Sequence, residues 1–316
     1  MKIKFGLYGN NGHQIQNLLV SKSDVEFYAV AGIPADKIPP DVKPLIYSSL
    51  DEMLRDPDIQ IISLCSPLRF SQAKDAIKCM KAGKHVYAEK PSAMTEDELD
   101  EIIIVSKKTG MIYHEMAGTA FASPYKAIKR IIASGKLGTI IQIFSQKSYP
   151  WGEWRPKDEK IDGGLTMQVG IYNCRFIEHV VGIKIKSIQL KETKLCNHGE
   201  NSECRRAASF LFELENGAIA SAIANYCCPL PEDWGKWGYE ILRIFGSNGF
   251  LECINNGEIA KIAISGEGVK KIDVSDDGDY LDMFIEEIKS KKKVIPLLLE
   301  EELSPTRWVI RAKNQL

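Results

Sequence analysis

Five short, continuous apolar runs, at residues 2–8, 25–31, 59–64, 85–88 and 111–114, fill the first third of the chain with helix-like stretches between them. A strand that shows one face to water alternates apolar and polar residues. A strand that is apolar at nearly every position must be covered on both faces, and helical crossovers between parallel strands provide that cover. The intervening segments have helix grammar. Residues 13–21 and 50–55 read as helices, 71–82 is amphipathic and stops at Gly83, and Thr95 with Glu98 forms a capping-box pattern that opens a helix to about 108. The pattern predicts an α/β domain over 1–118 built on a doubly wound parallel sheet.

The grammar changes after that. A helix is expected at 124–134, then a strand at 140–147 that runs into an aromatic-rich loop, then a helix at 167–181. Long alternating strands follow at 185–193, 205–214, 218–226, 239–245, 250–254 and 259–264. Asn216-Gly217, Asn248-Gly249 and Asn256-Gly257 punctuate them, and Asn-Gly is a strong hairpin signal. Helices at 280–289 and 304–313 close the chain. The prediction is an α+β domain over 119–316 with a large, mostly antiparallel sheet. A length of 316 residues suits two domains.

Composition narrows the function classes. The net charge of −1 provides no field for gathering nucleic acid or an anionic membrane. No apolar stretch approaches the roughly 18 residues of a membrane span, and the first residues lack a leader pattern, so a cytoplasmic protein is expected. The eight cysteines then read as reduced thiols, with Cys65, Cys79, Cys174 and Cys253 in apolar, core-like settings. Cys196-Asn197-His198 with Cys204 matches no standard zinc spacing. His13, His85, His114, His179 and His198 are not spaced as ligands, and neither G-x-S-x-G nor H-E-x-x-H occurs. No metal is expected.

The segment from Gly6 to Gln14 has the strand, glycine turn and helix start of a dinucleotide-binding Rossmann motif. The usual G-x-G-x-x-G would fall on Gly9, Asn11 and Gln14, and only Gly9 matches strictly. Asn11 is compatible with a left-handed turn, and Gly12 permits close backbone approach. Asn10 and His13 complete the candidate phosphate loop. A tight turn that holds no ligand is the alternative. The second strand ends at Ala31-Gly32-Ile33 without the acid that reads a ribose 2′-hydroxyl or the Arg that reads a 2′-phosphate. Gly32, Asp36 and Lys37 are the candidates there, and NAD and NADP both remain open.

Further along, Ser66-Pro67 follows a strand, and a helix ending Ala82-Gly83-Lys84-His85-Val86 leads to Glu89-Lys90-Pro91-Ser92-Ala93. With Ala133-Ser134-Gly135-Lys136-Leu137-Gly138, Asp162-Gly163-Gly164 and Phe245-Gly246-Ser247-Asn248-Gly249, these blocks resemble the Gfo/Idh/MocA (glucose-fructose oxidoreductase / inositol dehydrogenase-like) family across nearly the whole chain. The resemblance implies an NAD(P)-dependent oxidoreductase acting on a sugar, cyclitol or related polyol. It implies that Ser66, Pro67, Glu89 and Lys90 belong to the cofactor site, that Pro91 follows a cis bond, and that Lys90 lies beside the nicotinamide and the reacting carbon. The family's G-G-x-x-x-D-x-G-x-H motif falls on 163–172, with Gln168 in place of the Asp and Tyr172 in place of the His, one helical turn apart. Tyrosine at the second place resembles the glucose-fructose oxidoreductase and dihydrodiol dehydrogenase branch, which implies an acid/base role for Tyr172 assisted by Lys90.

The resemblance further assigns Gln168, Tyr172, Asn173 and the loop residues Trp151, Trp154 and Arg155 to the substrate. That aromatic loop, and the similar Trp234-Gly235-Lys236-Trp237, suit a sugar ring and an oligomer interface equally. A homodimer or homotetramer through the C-terminal sheet is implied. The chain departs from the family at Gln168, at Ser71 where His is common, and in lacking an N-R motif near 118–121. Those departures keep open a non-catalytic dinucleotide-binding regulator or partner subunit, and a hydrolase or lyase that works by transient oxidation.

Overall fold

The computed structural model describes residues 2–196, 202–275 and 278–316. It divides into two compact units. The first comprises Met1–Met116, Lys160–Gly163 and Leu297–Leu303, and the second Ala117–Glu159, Gly164–Pro296 and Ser304–Leu316. The two short returns to the first unit lie in sequence assigned above to the second domain.

In the first unit β1 (Ile3–Tyr8), β2 (Val25–Ala31), β3 (Leu45–Tyr47), β4 (Ile61–Leu64), β5 (His85–Ala88) and β6 (Tyr113–Glu115) form one sheet in the order β3-β2-β1-β4-β5-β6. Every pairing is parallel. Successive strands run outward from β1 to β3, and the chain then returns to the other side of β1. The switch therefore falls between β1 and β4, the place where doubly wound sheets bind ligands beyond their strand ends. All four residues of β4 are buried, as the apolar run requires, with Leu99, Ile102 and Ile103 of the helix Glu96–Thr109 in the same core cluster.

Three local expectations change. The helix expected at 13–21 is only Gln16–Val20, because His13 is drawn out of it by Glu89, as described below. The Thr95 hydroxyl accepts from the Glu98 N–H at 3.3 Å, whereas Glu98 takes the Met94 N–H at 3.2 Å rather than that of Thr95. β3 was not expected. It is a three-residue edge strand with Ile46 77% exposed, so burial left no signature in its sequence.

In the second unit the strands are β7 (Ile140–Pro150), β8 (Ile185–Glu192), β9 (Ala207–Leu214), β10 (Ile219–Cys228), β11 (Tyr239–Gly246), β12 (Gly249–Ile254), β13 (Ile259–Ile264) and β14 (Gly268–Lys271). Their order is β14-β13-β12-β11-β7-β10-β9-β8. Only β7 and β10 pair parallel, so the sheet is mostly antiparallel as expected. The Asn-Gly signals mark its turns, and Asn255 and Asn256 adopt left-handed φ of 58° and 59° between β12 and β13. β14, exposed along its whole length, was again not legible.

A helical stretch from Thr166 to Val181 lies on the inner face. Its central Ile171–Arg175 is α-helical, and wide i→i+5 turns flank it at Thr166–Gly170 and Phe176–Val181. Such turns often occur at functional sites. Gly170 lets this stretch approach β9: a Cβ there would lie 2.7 Å from the Phe210 ring. Among the described residues no helix is long and apolar enough to cross a membrane, and no group of three His, Cys, Asp or Glu side chains could hold a metal ion. Asn197 and His198 of the cysteine-histidine cluster lie outside the described residues.

Candidate active site

In the first unit the candidate residues gather at the turn after β1. Gly9 has φ +73° and Gly12 φ +131°. A Cβ on Gly9 would stand 2.1 Å from the Cys65 carbonyl, and one on Gly12 would stand 2.4 Å from Cγ of Glu89. Both glycines are therefore needed for conformation and for space. Asn11 is not left-handed as expected. It acts as a brace: its N–H reaches the Cys65 carbonyl, and its side-chain amide donates to the carbonyls of Pro67 at 3.2 Å and Ile161 at 2.5 Å. Asn10, Gly12, His13 and Gln14 form the exposed outer side of the turn.

Glu89 anchors the turn from beneath. It is 1% exposed. Its Oε2 accepts from the His13 backbone N–H at 2.5 Å and lies 2.7 Å from His13 Nδ1, while Oε1 accepts from the Lys90 N–H at 3.0 Å. Burial opposes its charge, but His13, Lys90 and Arg69 outweigh burial and hold the carboxyl well below the usual carboxylate range. An ionised carboxylate only accepts, so His13 Nδ1 must carry the proton it shares.

Arg69, for which the sequence offered no signal, is fully buried. It donates to Gln72 and, at 2.6 Å, to the Asn11 carbonyl. Gln72 in turn donates to the carbonyls of Glu89 and Pro91. The Lys90-Pro91 bond is cis, and Lys90 is 4% exposed. The Ser66 hydroxyl is committed to Asp75 at 2.8 Å, whereas Pro67 is exposed beside the turn.

These residues fit a dinucleotide. Glycine follows the last residue of both β1 and β2: a Cβ built on Gly32 would lie 3.7 Å from Cα of Gly9 and 4.0 Å from the Tyr8 ring. The Nε of Arg69 is buried without a hydrogen-bond partner among the described residues, which adds unspent donor capacity beneath the turn. Asp36 and Lys37 sit exposed in the short turn Ala35–Lys37 just past Gly32. The helix Gln16–Val20 is too short and begins too late to lend much dipole, so a phosphate held here would rest on the turn's own backbone N–H groups.

The second unit carries Tyr172 in its own candidate cluster. Gln168 and Tyr172 are half-buried while their helix neighbours are buried, so the two share the helix's more open side. Alternate residues of β7 meet this helix, as strand geometry dictates. The Ser145 hydroxyl bonds Oδ1 of Asn173 at 2.9 Å. Lys147 Nζ lies 4.6 Å from the centre of the Tyr172 ring and 4.8 Å from that of Tyr149. The Tyr149 and Tyr172 rings meet edge-on at 6.3 Å. Arg175 approaches Tyr172 at 5.5 Å. Asn173, expected at the substrate, is fully buried with its amide bonded to Ser145 and to the Ile223 carbonyl, so its role here is to fasten helix to sheet. Burial first, and then Tyr149, push the Tyr172 phenol well above its ordinary value, against the pull of Lys147 and Arg175.

The aromatic loop separates into two clusters. Trp151 packs on Tyr226 at 6.1 Å, with Arg206 4.6 Å over Trp151 and Arg155 3.6 Å over Tyr226. Arg155 also donates twice to the Pro150 carbonyl. Trp154 instead stacks on Trp237 at 6.3 Å. That pair lines an open cavity of about 570 Å³ with Leu230, Pro231, Glu232 and Asp233.

Comparison with known proteins agrees with this architecture. Residues 13–116 match the family described as "Oxidoreductase family, NAD-binding Rossmann fold", and residues 125–252 match the "GFO/IDH/MocA C-terminal domain". Together these cover most of the chain: it belongs to the GFO/IDH/MocA family of NAD-binding oxidoreductases. It is 28% identical over 218 residues to the uncharacterized oxidoreductase YrbE of Bacillus subtilis, a match covering 67% of this chain and 60% of that protein. It is 22% identical over 286 residues to myo-inositol 2-dehydrogenase of Thermotoga maritima, covering 84% and 80% respectively. The fold is shared with the aldose-aldose oxidoreductase of Caulobacter crescentus crystallised with glycerol, with a TM-score of 0.82 at 18% identity over 100% of this chain and 98% of that one.

Proposed function

We propose that the chain is a nicotinamide-dependent dehydrogenase acting on a hydroxyl of a sugar, cyclitol or related polyol, or on the matching carbonyl in reverse. The observation that carries this reading is Tyr172. It is a phenol on the open side of its helix, with Lys147 and Arg175 against its ring, which is the setting of a proton donor and acceptor rather than of a packing aromatic. Gly9–Gln14, Gly32, Ser66–Pro67 and Lys90 would hold the dinucleotide, which supplies the hydride exchange when bound. Tyr172 moves the hydroxyl proton. Lys90 contributes positive charge where alkoxide develops. Gln168 donates to and accepts from substrate hydroxyls without adding charge.

The polyol assignment draws on relatives named myo-inositol 2-dehydrogenase and aldose-aldose oxidoreductase. It also draws on the Trp154–Trp237 cavity, where indole faces suit sugar C–H groups and Glu232 and Asp233 suit hydroxyls. Steady-state NAD(P)H absorbance with a panel of inositols, aldoses and their oxidised forms tests it, and at least one member should turn over many cofactor equivalents. Dinucleotide binding without turnover of any member would sink the catalytic reading. In the same assay, Asp36→Ala impairing NAD use would mark Asp36 as the ribose reader, and Lys37→Ala impairing NADP use would mark Lys37.

The reading includes self-association through the outer face of the large sheet. Ile219, Gln142, Phe245 and Phe250 lie in register across β10, β7, β11 and β12. The two phenylalanines are 39% and 37% exposed, Ile141 of β7 is 55% exposed, and Leu211 of β9, two strands beyond β7, is 47% exposed. So broad an apolar row favours burial against a second copy. Light scattering should give a mass of at least two chains, and Phe250→Lys should reduce it. A monomeric wild type at micromolar concentration would refute the interface.

A further inference from the structure

We propose that Lys147 is a positioning residue that sets the proton affinity of Tyr172, and that Glu240 governs how much of the lysine's charge the phenol feels. This rests on the reading in which Tyr172 exchanges the substrate proton. No sequence motif marks either residue, and they come together only through the sheet.

The geometry is specific. Lys147 is 7% exposed and ion-pairs with Glu240 of β11, its cross-strand partner in the antiparallel register. The other oxygen of Glu240 accepts from the Tyr125 hydroxyl at 2.5 Å, so the carboxylate is held from two sides. The ammonium is thereby fixed at 4.6 Å from the Tyr172 ring centre, and 4.8 Å from that of Tyr149, with little freedom to leave. A flexible surface lysine would average its field away in water. This one is buried, where a charge acts strongly over such distances.

Several groups face Tyr172. Lys147 and Tyr149 come from β7, Arg175 from its own helix, and Glu240 stands behind Lys147. Within this set, burial and Tyr149 favour the neutral phenol while Lys147 and Arg175 favour the phenolate. When Tyr172 gives its proton to a substrate oxygen, its O–H bond breaks, an O–H bond forms on the substrate, and the electron pair stays on the phenolate oxygen. Lys147 is placed to stabilise that product charge, and the negative Glu240 partly cancels it. Solvent then returns the proton.

The two partners therefore have opposite predicted signs, which a merely structural ion pair would not show. The test is carbon-13 NMR of labelled tyrosines in the protein without cofactor, with the Tyr172 signal assigned by its loss in Tyr172→Phe. The phenolate fraction is compared at one alkaline pH at which circular dichroism shows every variant folded. Glu240→Gln should raise the Tyr172 phenolate-to-phenol ratio by roughly tenfold, as one unit of pKa implies. Lys147→Met should lower it by a similar factor, and Lys147→Arg should restore it towards wild type. If Glu240→Gln does not fold, Glu240→Asp, which draws the carboxylate back from Lys147, should move the fraction the same way by less.

A folded Glu240→Gln or Lys147→Met protein in which the fraction is unchanged or moves the opposite way overturns the proposal. The measurement needs neither substrate nor turnover. A failed polyol panel would therefore leave it standing, while intact polyol oxidation with an unresponsive Tyr172 would remove only the role of Lys147.

Discussion

Tyr172→Phe should lower kcat by roughly 10²- to 10⁴-fold, the usual worth of a positioned acid/base group. Dinucleotide affinity should stay within about twofold, since the hydroxyl removed has Tyr149 of the same unit as its partner. The separation follows from the fold. Tyr172 belongs to the second unit, and the glycine turn, Glu89 and Arg69 to the first. The deletion is conservative: the ring can keep its edge contact with Tyr149 and the cations at its face, because those contacts are made to the ring. Fluorescence titration with NAD(H) and NADP(H), beside initial rates on whichever polyol turns over, checks both halves. Turnover within a factor of three of wild type (about 0.65 kcal/mol, too little for general acid/base catalysis) would show that another group moves the proton. Loss of binding with loss of turnover would instead show that the phenol matters for structure.

What the sequence revealed, and what it concealed, divides along the range of the forces involved. β1, β2, β4 and β5 were legible because strands buried on both faces must be apolar throughout, and that demand is written locally. β3 and β14 are short and exposed at sheet edges, so no burial demand shaped them. Lys90 and Tyr172 stood out through a family resemblance. Lys147 did not, although one signal was present: Ser145, Lys147 and Tyr149 alternate on one face of β7, and all three meet the helix that carries Tyr172 and Asn173. Polar residues at Gln146 and Ser148 on the other face hid that alternation. Arg69 had no local signal. Its burial depends on the Asn11 carbonyl 58 positions earlier, and a lone arginine in a short turn ordinarily faces solvent. The helix start at His13 failed for the same kind of reason, because an acid 76 positions away claims its N–H.

That long-range acid supports the other large effect. Glu89→Gln keeps the shape of the side chain but removes its charge, and its amide must set an N–H₂ towards one of the donors of His13 or Lys90. Hydrogen bonds to a buried charged group contribute about 1.5–3 kcal/mol each, and an unmatched buried donor adds to the loss. A destabilisation of about 3 kcal/mol is expected, lowering the melting temperature by roughly 6–12 °C for a unit of this size. Dinucleotide affinity should fall as well, by roughly tenfold for each residue of the freed loop at Gly12–Gln14 that binding must reorder, because fixing one residue costs on the order of 1–2 kcal/mol.

The pH dependence has a definite sign. The folded pKa of Glu89 lies below its unfolded value of about 4.3, so the unfolded state binds the proton first as pH falls. The stabilisation is complete above that unfolded value and declines below it, towards the folded pKa. The stability gap between wild type and Glu89→Gln should therefore narrow as pH drops below about 4.3, and widen again as pH is restored. Urea unfolding of both proteins at several acidic pH values measures it. A gap independent of pH through that range would mean that Glu89 contributes shape and not charge, and the electrostatic anchor beneath the turn would have to be sought in Arg69 alone.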